Sequence, residues 1–415
     1  MKVLVVGNGG REAAIAWKLA QSPKVHEVCI TPPHPVATRL HPKITTSADY
    51  LAKEFHFAVV GPEIPLGEGL ADQLRAAGVV TLGPSQKAAQ LEISKAFAKD
   101  LMKKAGIPTA ESQTVTGVAE AAHALEKITW SGVVVKVDGP AQGKGVVVCE
   151  TKADALRAIS AFCDGTLLGA KFDRFVLEER LSGPEISCFA LCSGERFAML
   201  DSARDHKRLL ENDLGPNTGG MGTLSPVADF TQEETRFVAD KVVAPLLETM
   251  SAEGHPFQGF LFVGLMRTPQ GPKVLEFNVR LGDPEAQVLL PRLEDDLFDW
   301  LYGAARGELP AGAPSFSAQK AVHVVLAAPG YPGVDGQKIR LGDELQLPQL
   351  ASPESIIFPA GVTTLGEKVI SRGGRILGVT GLGATHDDAR TRALQLIEQL
   401  AFEGSHFRRD IGGQL

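Results

Sequence analysis

Residues 273–287 read KVLEFNVRLGDPEAQ. Val274, Leu275, Phe277 and Val279 are strand formers. Glu276, Asn278 and Arg280 fall at alternate positions among them. Side chains on a strand alternate faces, so the spacing predicts a carboxylate, an amide and a guanidinium along one face, with Phe277 and Val279 on the other. Such groups are costly to bury without partners, so the strand reads as the floor of a ligand site. The plainer alternative is a solvated sheet face carrying an ion pair.

Working outward from this strand, the chain divides into three stretches. Residues 1–93 alternate strand and helix: KVLVVG, REAAIAWKLAQS, EVCIT, FAVVGPE, GEGLADQLRAAG and VVTLGPS. That alternation predicts a parallel sheet with its ligand site beyond the strand ends, where Gly7–Gly10 and Gly61-Pro62-Glu63 fall. Residues 94–312 look like an α+β block. It holds a smaller subdomain at about 113–181, antiparallel strands, a helix over 233–253, and the pair GFLFVGLM and KVLEFNVR. Residues 313–415 carry AVHVVLAA, RILGVTGL and a helix over 386–401. With 415 residues, two or three domains are expected. The fold class is therefore α/β and α+β, multidomain.

Composition narrows the function. The chain has 42 basic and 49 acidic residues, a net charge of −7, which argues against a nucleic-acid partner. Mean hydropathy is +0.02, and no run of about 18 apolar residues suggests a membrane span. The N-terminus MKVLVVGNGG is a strand running into glycines, without a cleavage pattern. Cys29, Cys149, Cys163, Cys188 and Cys192 read as reduced core thiols, and a cytoplasmic location is expected.

Four other motifs carry chemistry. GNGGREAA lacks the third glycine of a dinucleotide fingerprint, since Glu12 stands there; it can still cradle a phosphate, with Arg11 adding charge, or be a tight structural turn. In VVVKVDGPAQGKGVVV, Lys136 lies inside a strand and Gly139–Gly145 form a loop holding Gly143 and Lys144. Gly145 stands where a Walker loop needs Ser or Thr, so the segment reads as a hairpin whose backbone folds over a polyphosphate. RFVLEERLSGPEIS offers Glu178, Glu179 and Glu185 around an extended hinge. ARDHKRLLENDLGPNTGGMG sets Asp205, His206, Lys207 and Arg208 before a polar glycine-rich loop suited to an anionic substrate. Glu276 and Asn278 themselves are two hard oxygen donors roughly 7 Å apart along a strand, able to hold Mg²⁺ on a triphosphate. Arg280 follows with a planar fork for carboxylate or phosphate.

GNGGRE, VGPE-PL, AAQLE-SKAF, K-DG--GKGV, DHKR, GPNTGGMG, KVLEFN-R-GDPE and the tail R-DIG, in this order from end to end, resemble the phosphoribosylamine–glycine ligase family. The resemblance implies an ATP-grasp fold with a Rossmann-like N-terminal domain (1–93), an ATP-grasp domain (94–312) with a small lid, and a C-terminal domain (313–415). It implies that Lys95, Lys136, Gly143, Lys144 and Gly145 contact ATP. Glu178, Glu179, Leu181 and Glu185 would line the adenosine pocket. Glu276 and Asn278 would bind Mg²⁺ or Mn²⁺. The implied reaction joins glycine to 5-phosphoribosylamine through a glycyl phosphate, in purine biosynthesis. Arg280, Lys207 and Asp205 are the expected catalytic groups. Substrate contacts are expected from Asn8, Gly9, Gly10, Arg11, Pro62, Glu63, Asn217, Thr218, Gly219, Gly220, Met221, Asp283 and Glu285. A monomer or weak dimer is expected.

The sequence departs from the family pattern at four places. Ala13 replaces the usual histidine, TPPHPVAT (31–38) stands in place of PGNAGT, no FGDAG is visible around 167–172, and Pro140 and Gln142 alter the glycine loop. The second reading these changes leave open is a paralogous ligase that joins a different amine to glycine or a related acid.

Overall fold

The computed structural model describes residues 1–49, 54–141, 145–334 and 336–413. The first sheet is parallel, in the order Ile44–Thr46, Glu27–Thr31, Lys2–Val6, Phe57–Val60, Val80–Leu82. Its strands are almost wholly apolar because helices cover both faces. Strand order reverses between Lys2–Val6 and Phe57–Val60, which opens a crevice at their C-terminal ends. The turn Gly7–Gly9 and the segment Gly61–Glu63 lie there, and the first helix, Gly10–Ala20, starts from it.

A second unit has its own core. Strands Ser112–Thr116, Arg174–Glu179, Val133–Val137 and Val146–Cys149 form an antiparallel sheet. Helices Gly117–Lys127 and Lys152–Asp164 cover it around Val135, Phe162, Phe175 and Leu177, a cluster separate from the rest of the interior. This is the lid.

Opposite stands the antiparallel sheet Arg196–Met199, Glu185–Ser193, Gln258–Thr268, Gly271–Asn278. Cys188 and Cys192 are buried in its second strand, as free thiols. The last large sheet runs Arg204–Asp205, Gly222–Ser225, Lys320–Ala327, Arg375–Gly383, Ser355–Pro359. Its first two strands come from the stretch before residue 312, so the final hundred residues are sewn into the middle of the chain. The helix expected over 233–253 is instead Gln232–Val238 and Ala244–Ala252, joined by a π-helical turn at Ala239–Val243.

Candidate active site

The strand Gly271–Asn278 is not a regular ladder. Gly264 pairs with Glu276 but Leu265 pairs with Val274, so Leu275 is an extra residue, a β-bulge. The bulge rephases the strand. Val274 and Phe277 are both buried, although they are three apart, while Leu275, Glu276, Asn278 and Arg280 stay half-buried. It also leaves the Leu275 carbonyl to accept a bond at 3.0 Å from Nζ of Lys136, which reaches across from the lid. The lid is thereby joined to the strand one residue before Glu276.

Several cations converge on Glu276. Burial pushes its carboxyl up, but Lys207, Lys136, Lys95 and Arg280 more than offset that and hold it below the usual carboxylate range. Lys95 opens the helix Lys95–Lys104, whose N-cap Ser94 accepts from Phe97 N–H and donates to Asp138 at 2.8 Å. Lys207 pairs with Glu185 at 2.8 Å. Burial pulls its ammonium down, yet Glu185, Glu276 and Asp205 outweigh that and raise it.

Arg280 is already held. Its guanidinium meets Glu92 at 2.7 Å, faces Glu63 at 3.4 Å, and donates to Asn278 Oδ1 at 3.1 Å. Glu92 also accepts from the Val279 N–H at 2.8 Å. It lies on the short helix Gln90–Ile93 just before Lys95, so a single segment supplies one cation to the cleft and the anion that orients another.

A pair of carboxyls lies beyond Lys207. Glu285 is buried and accepts from Ser187 Oγ at 3.0 Å. Burial raises its pKa. Asp205 Oδ1 is shut off from solvent without a hydrogen-bond partner among the described residues. Burial and the neighbouring Glu285 push Asp205 well up. Gly220 is essential to this closeness, since a Cβ there would stand 2.7 Å from Asp205 Oδ1. The loop carrying Gly220 is stapled from both sides. Thr218 N–H and Oγ1 both donate to the Lys207 carbonyl, at 2.7 and 2.9 Å. Gly219 N–H donates to Tyr331 Oη at 3.0 Å, and Arg375 donates to the Gly219 carbonyl.

Arg375 also donates to the Asp283 carbonyl at 2.7 Å and pairs with its carboxylate at 3.3 Å. Asp283 in turn borders the N-terminal turn, 3.3 Å from where a Cβ on Gly9 would sit. The crevice of the first sheet and the cleft over Glu276 are thus neighbouring chambers, with Asp283, Glu63 and Arg280 between them.

Other expected residues occupy different places. Arg11 is 6% exposed, pairs with Glu12 at 2.6 Å and donates to the Leu281 carbonyl at 3.1 Å, so it faces the interior instead of the phosphate cradle expected for it. Glu12 bonds the Gly9 N–H and fills the space beneath Gly7 and Gly61, where any Cβ would collide with it. Glu178 is 2% exposed and locked between Lys136 at 2.9 Å and Lys99 at 3.2 Å, which leaves its carboxylate no freedom to meet a ribose. Glu179 turns instead to Lys273 at 2.6 Å. Leu181 is half-buried just after the lid strand. Met221 is fully buried in the main core and cannot present its side chain to a substrate. Asn217 sits on an exposed two-stranded hairpin opposite Arg208, and Pro62 is the N-cap of the short helix Glu63–Gly67. Gly143 and Lys144 lie outside the described residues, while the Gly145 carbonyl accepts from Val137 N–H at 2.9 Å.

Two facing antiparallel sheets, joined by a lid lysine above a strand bearing Glu276 and Asn278, define an ATP-grasp protein. Solved structures agree. The fold matches biotin carboxylase from Campylobacter jejuni with a TM-score of 0.73 at 14% identity, covering 99% of this chain and 94% of that one. Phosphoribosylamine–glycine ligase from Thermotoga maritima matches with a TM-score of 0.86 at 34% identity, covering 99% of this chain and all of that one. The phosphoribosylglycinamide synthetase family models match in sequence order: N domain over 1–92, ATP-grasp (A) domain over 93–286 and C domain over 321–414. Among relatives, phosphoribosylamine–glycine ligase of Agrobacterium fabrum is 42% identical over 422 residues, spanning 100% of this chain and 98% of that protein. The Pasteurella multocida ligase is 42% identical over 424 residues, spanning 99% and 97%. The chain belongs to the phosphoribosylglycinamide synthetase family, the ATP-grasp ligases of purine biosynthesis.

Proposed function

We propose that this ligase activates glycine with ATP in the cleft between the lid and the strand Gly271–Asn278, and passes the glycyl group to 5-phosphoribosylamine held toward the N-terminal crevice. The observation that carries this reading is the convergence of Lys95, Lys136, Lys207 and Arg280 on the Glu276 carboxylate. Four segments of the chain contribute those cations, and a triphosphate entering under the lid would meet them together.

The donor set suits a hard cation. Glu276 is kept anionic and Asn278 offers an amide oxygen on the same face. Among the described residues no three Asp, Glu, His or Cys side chains cluster as a ligand cage, which fits an ion that arrives with phosphate oxygens. Glu276 and Asn278 would hold Mg²⁺ or Mn²⁺. When bound, the ion would withdraw charge from the phosphoryl oxygens.

In the first step a glycine carboxylate oxygen attacks the γ-phosphorus, and the bond to the ADP oxygen breaks. Lys136 and Lys95 steady the phosphates, and Arg280, oriented by Glu92, faces the developing charge. In the second step the amine nitrogen attacks the acyl carbon, and inorganic phosphate leaves with the carboxylate oxygen. The amine loses a proton, and the Asp205–Glu285 pair is placed to accept it. Burial raises both carboxyls, and the neighbouring Glu285 raises Asp205 further, which favours uptake of a proton by the pair. Asn8, Gly9 and Gly10 would cradle the sugar phosphate at the first helix N-terminus. We assign the domains as 1–93, 94–312 and 313–415. We expect a monomer or weak dimer in the cytoplasm; no helix among the described residues is long and apolar enough to cross a membrane.

The test is ADP release by purified protein with Mg-ATP and glycine, with and without phosphoribosylamine generated in situ. ADP formed only with both substrates, with glycinamide ribonucleotide as product, is the expected result. ADP release indifferent to phosphoribosylamine would overturn the amine assignment.

A further inference from the structure

The tail motif R-DIG lines no part of the cleft described above, yet its first residue is buried. Arg408 is 1% exposed. Its guanidinium forks onto the Asp410 carboxylate, Nε at 2.8 Å from Oδ1 and Nη2 at 2.6 Å from Oδ2. The third nitrogen, Nη1, donates to the Arg208 carbonyl at 3.0 Å and to Asp213 Oδ1 at 2.8 Å. Both acceptors belong to the hairpin of strands Arg208–Leu210 and Leu214–Asn217. That hairpin has no core of its own. Among the described residues its strands pair only with each other, and none of its residues is buried. A two-stranded hairpin in that state is marginal. Its turn also holds Asn212 and Asp213 left-handed, at φ 57° and 53°, which non-glycine residues resist.

The tail supplies what the hairpin lacks. Asp410 Oδ2 accepts the Asn212 N–H at 2.9 Å, Glu211 accepts the Arg409 N–H at 3.2 Å, and His406 Nε2 donates to the Leu209 carbonyl at 2.8 Å. The tail is itself fixed, because His406 exchanges backbone bonds with Ala327 of the last sheet at 2.7 and 3.0 Å, and Ile411 is fully buried. The base of the hairpin is the cleft. Lys207 immediately precedes it and faces Glu185 and Glu276. Thr218 immediately follows it and holds the Lys207 carbonyl by two bonds. Any tilt of the hairpin therefore moves Lys207 and the Gly219-Gly220 turn together. The connection reaches His206 as well, where burial and then the Arg408 charge lower the imidazole pKa.

We propose that Arg408 is a positioning residue for the ligase reaction: through Asp213 and the Arg208 carbonyl it fixes the hairpin that sets Lys207 against Glu276. The inference rests on the reading above that Lys207 serves the reaction in this cleft. A tail that only stabilised the fold would alter melting without singling out turnover.

The test combines steady-state kinetics, calorimetric ADP binding and limited trypsin digestion of the full chain. Arg408→Met should lower kcat about tenfold or more, the scale of a lost charge-assisted bond, while ADP affinity, the check on folding, stays unchanged. Trypsin should cut after Arg208 about tenfold faster, because the freed hairpin is open more of the time. Asp213→Ala removes an exposed carboxylate and one of the ties, and should give a smaller loss of the same kind. It carries the decision if Arg408→Met does not fold. In a Lys207→Met background, Arg408→Met should cost much less, since the positioned group is already gone. An equal cost in both backgrounds, wild-type kcat in both tail-contact variants, or a kcat loss matched by lost ADP affinity would each overturn the inference and leave the reaction reading standing. If wild-type protein forms no glycinamide ribonucleotide, the reaction reading falls, and this inference with it.

Discussion

Lys136 Nζ in the lid and the Leu275 carbonyl in the opposing strand lie 3.0 Å apart, and that bond ties lid position to the β-bulge presenting Glu276. The same ammonium is paired with Glu178 at 2.9 Å. Lid and floor therefore meet at a lysine expected to touch ATP, before any nucleotide arrives. Replacing Lys136 with Met removes both ties. Turnover should fall by roughly a hundredfold, with a raised KM for ATP, as when a preorganised charge is lost. Steady-state kinetics with glycine and phosphoribosylamine saturating check this, and an unchanged KM for ATP would count against the assignment.

Glu276→Ala should abolish measurable turnover, a loss of roughly a thousandfold or more, because the strand then keeps only Asn278 as a cation ligand. The side chain is half-buried and packs no core, so the melting temperature should stay near that of wild type. Turnover close to wild type would sink the metal assignment.

Lys99 makes a pH-dependent contribution that can be isolated. It is 6% exposed and pairs with Glu178 at 3.2 Å. Burial lowers its pKa from 10.5 to about 8, against the opposing pull of Glu178. Between those values the unfolded chain binds more protons at this site, so its contribution to stability rises with pH across that window. Below about pH 8 the cost of burying the charge is fully present. The stability difference between wild type and Lys99→Met should therefore shift in favour of wild type between pH 8 and 10. Chemical denaturation of both proteins across that range checks the sign, and a difference flat with pH would refute it.

Arg375→Ala should act on substrate handling without touching ATP. The guanidinium joins Gly219, Asp283 and, through the Gly219 N–H, the Tyr331 neighbourhood. Its loss should lower kcat/KM for the amine about tenfold, the usual scale for a charge-assisted pair, while ADP affinity holds. Equal losses for ATP and amine would point to general unfolding instead.

The strand that opened the sequence reading shows what residue order can and cannot carry. Alternation in KVLEFNVR placed Glu276, Asn278 and Arg280 on one face, and they are there. The bulge at Leu275 was not legible, because a period of two is silent about an extra residue in one strand. Glu178 and Arg11 look like ligand groups in sequence, but they are spent on Lys99, Lys136 and Glu12, partners that only packing reveals. Glu92, sitting in the AAQLE-SKAF motif, gave no sign that it would hold Arg280. Arg375 reaches Gly219 and Asp283 from far along the chain. Nothing in RILGVTGL marked it.

The central claim is that glycine's carboxylate is phosphorylated in the cleft over Glu276. Glycine labelled with ¹⁸O in its carboxylate tests it most directly, with mass spectrometry of the inorganic phosphate formed during turnover. The account predicts that label passes into phosphate in step with ADP formation, and that Glu276→Ala forms neither. Unlabelled phosphate alongside glycinamide ribonucleotide would contradict it, because glycine would then have been activated by some route other than a glycyl phosphate.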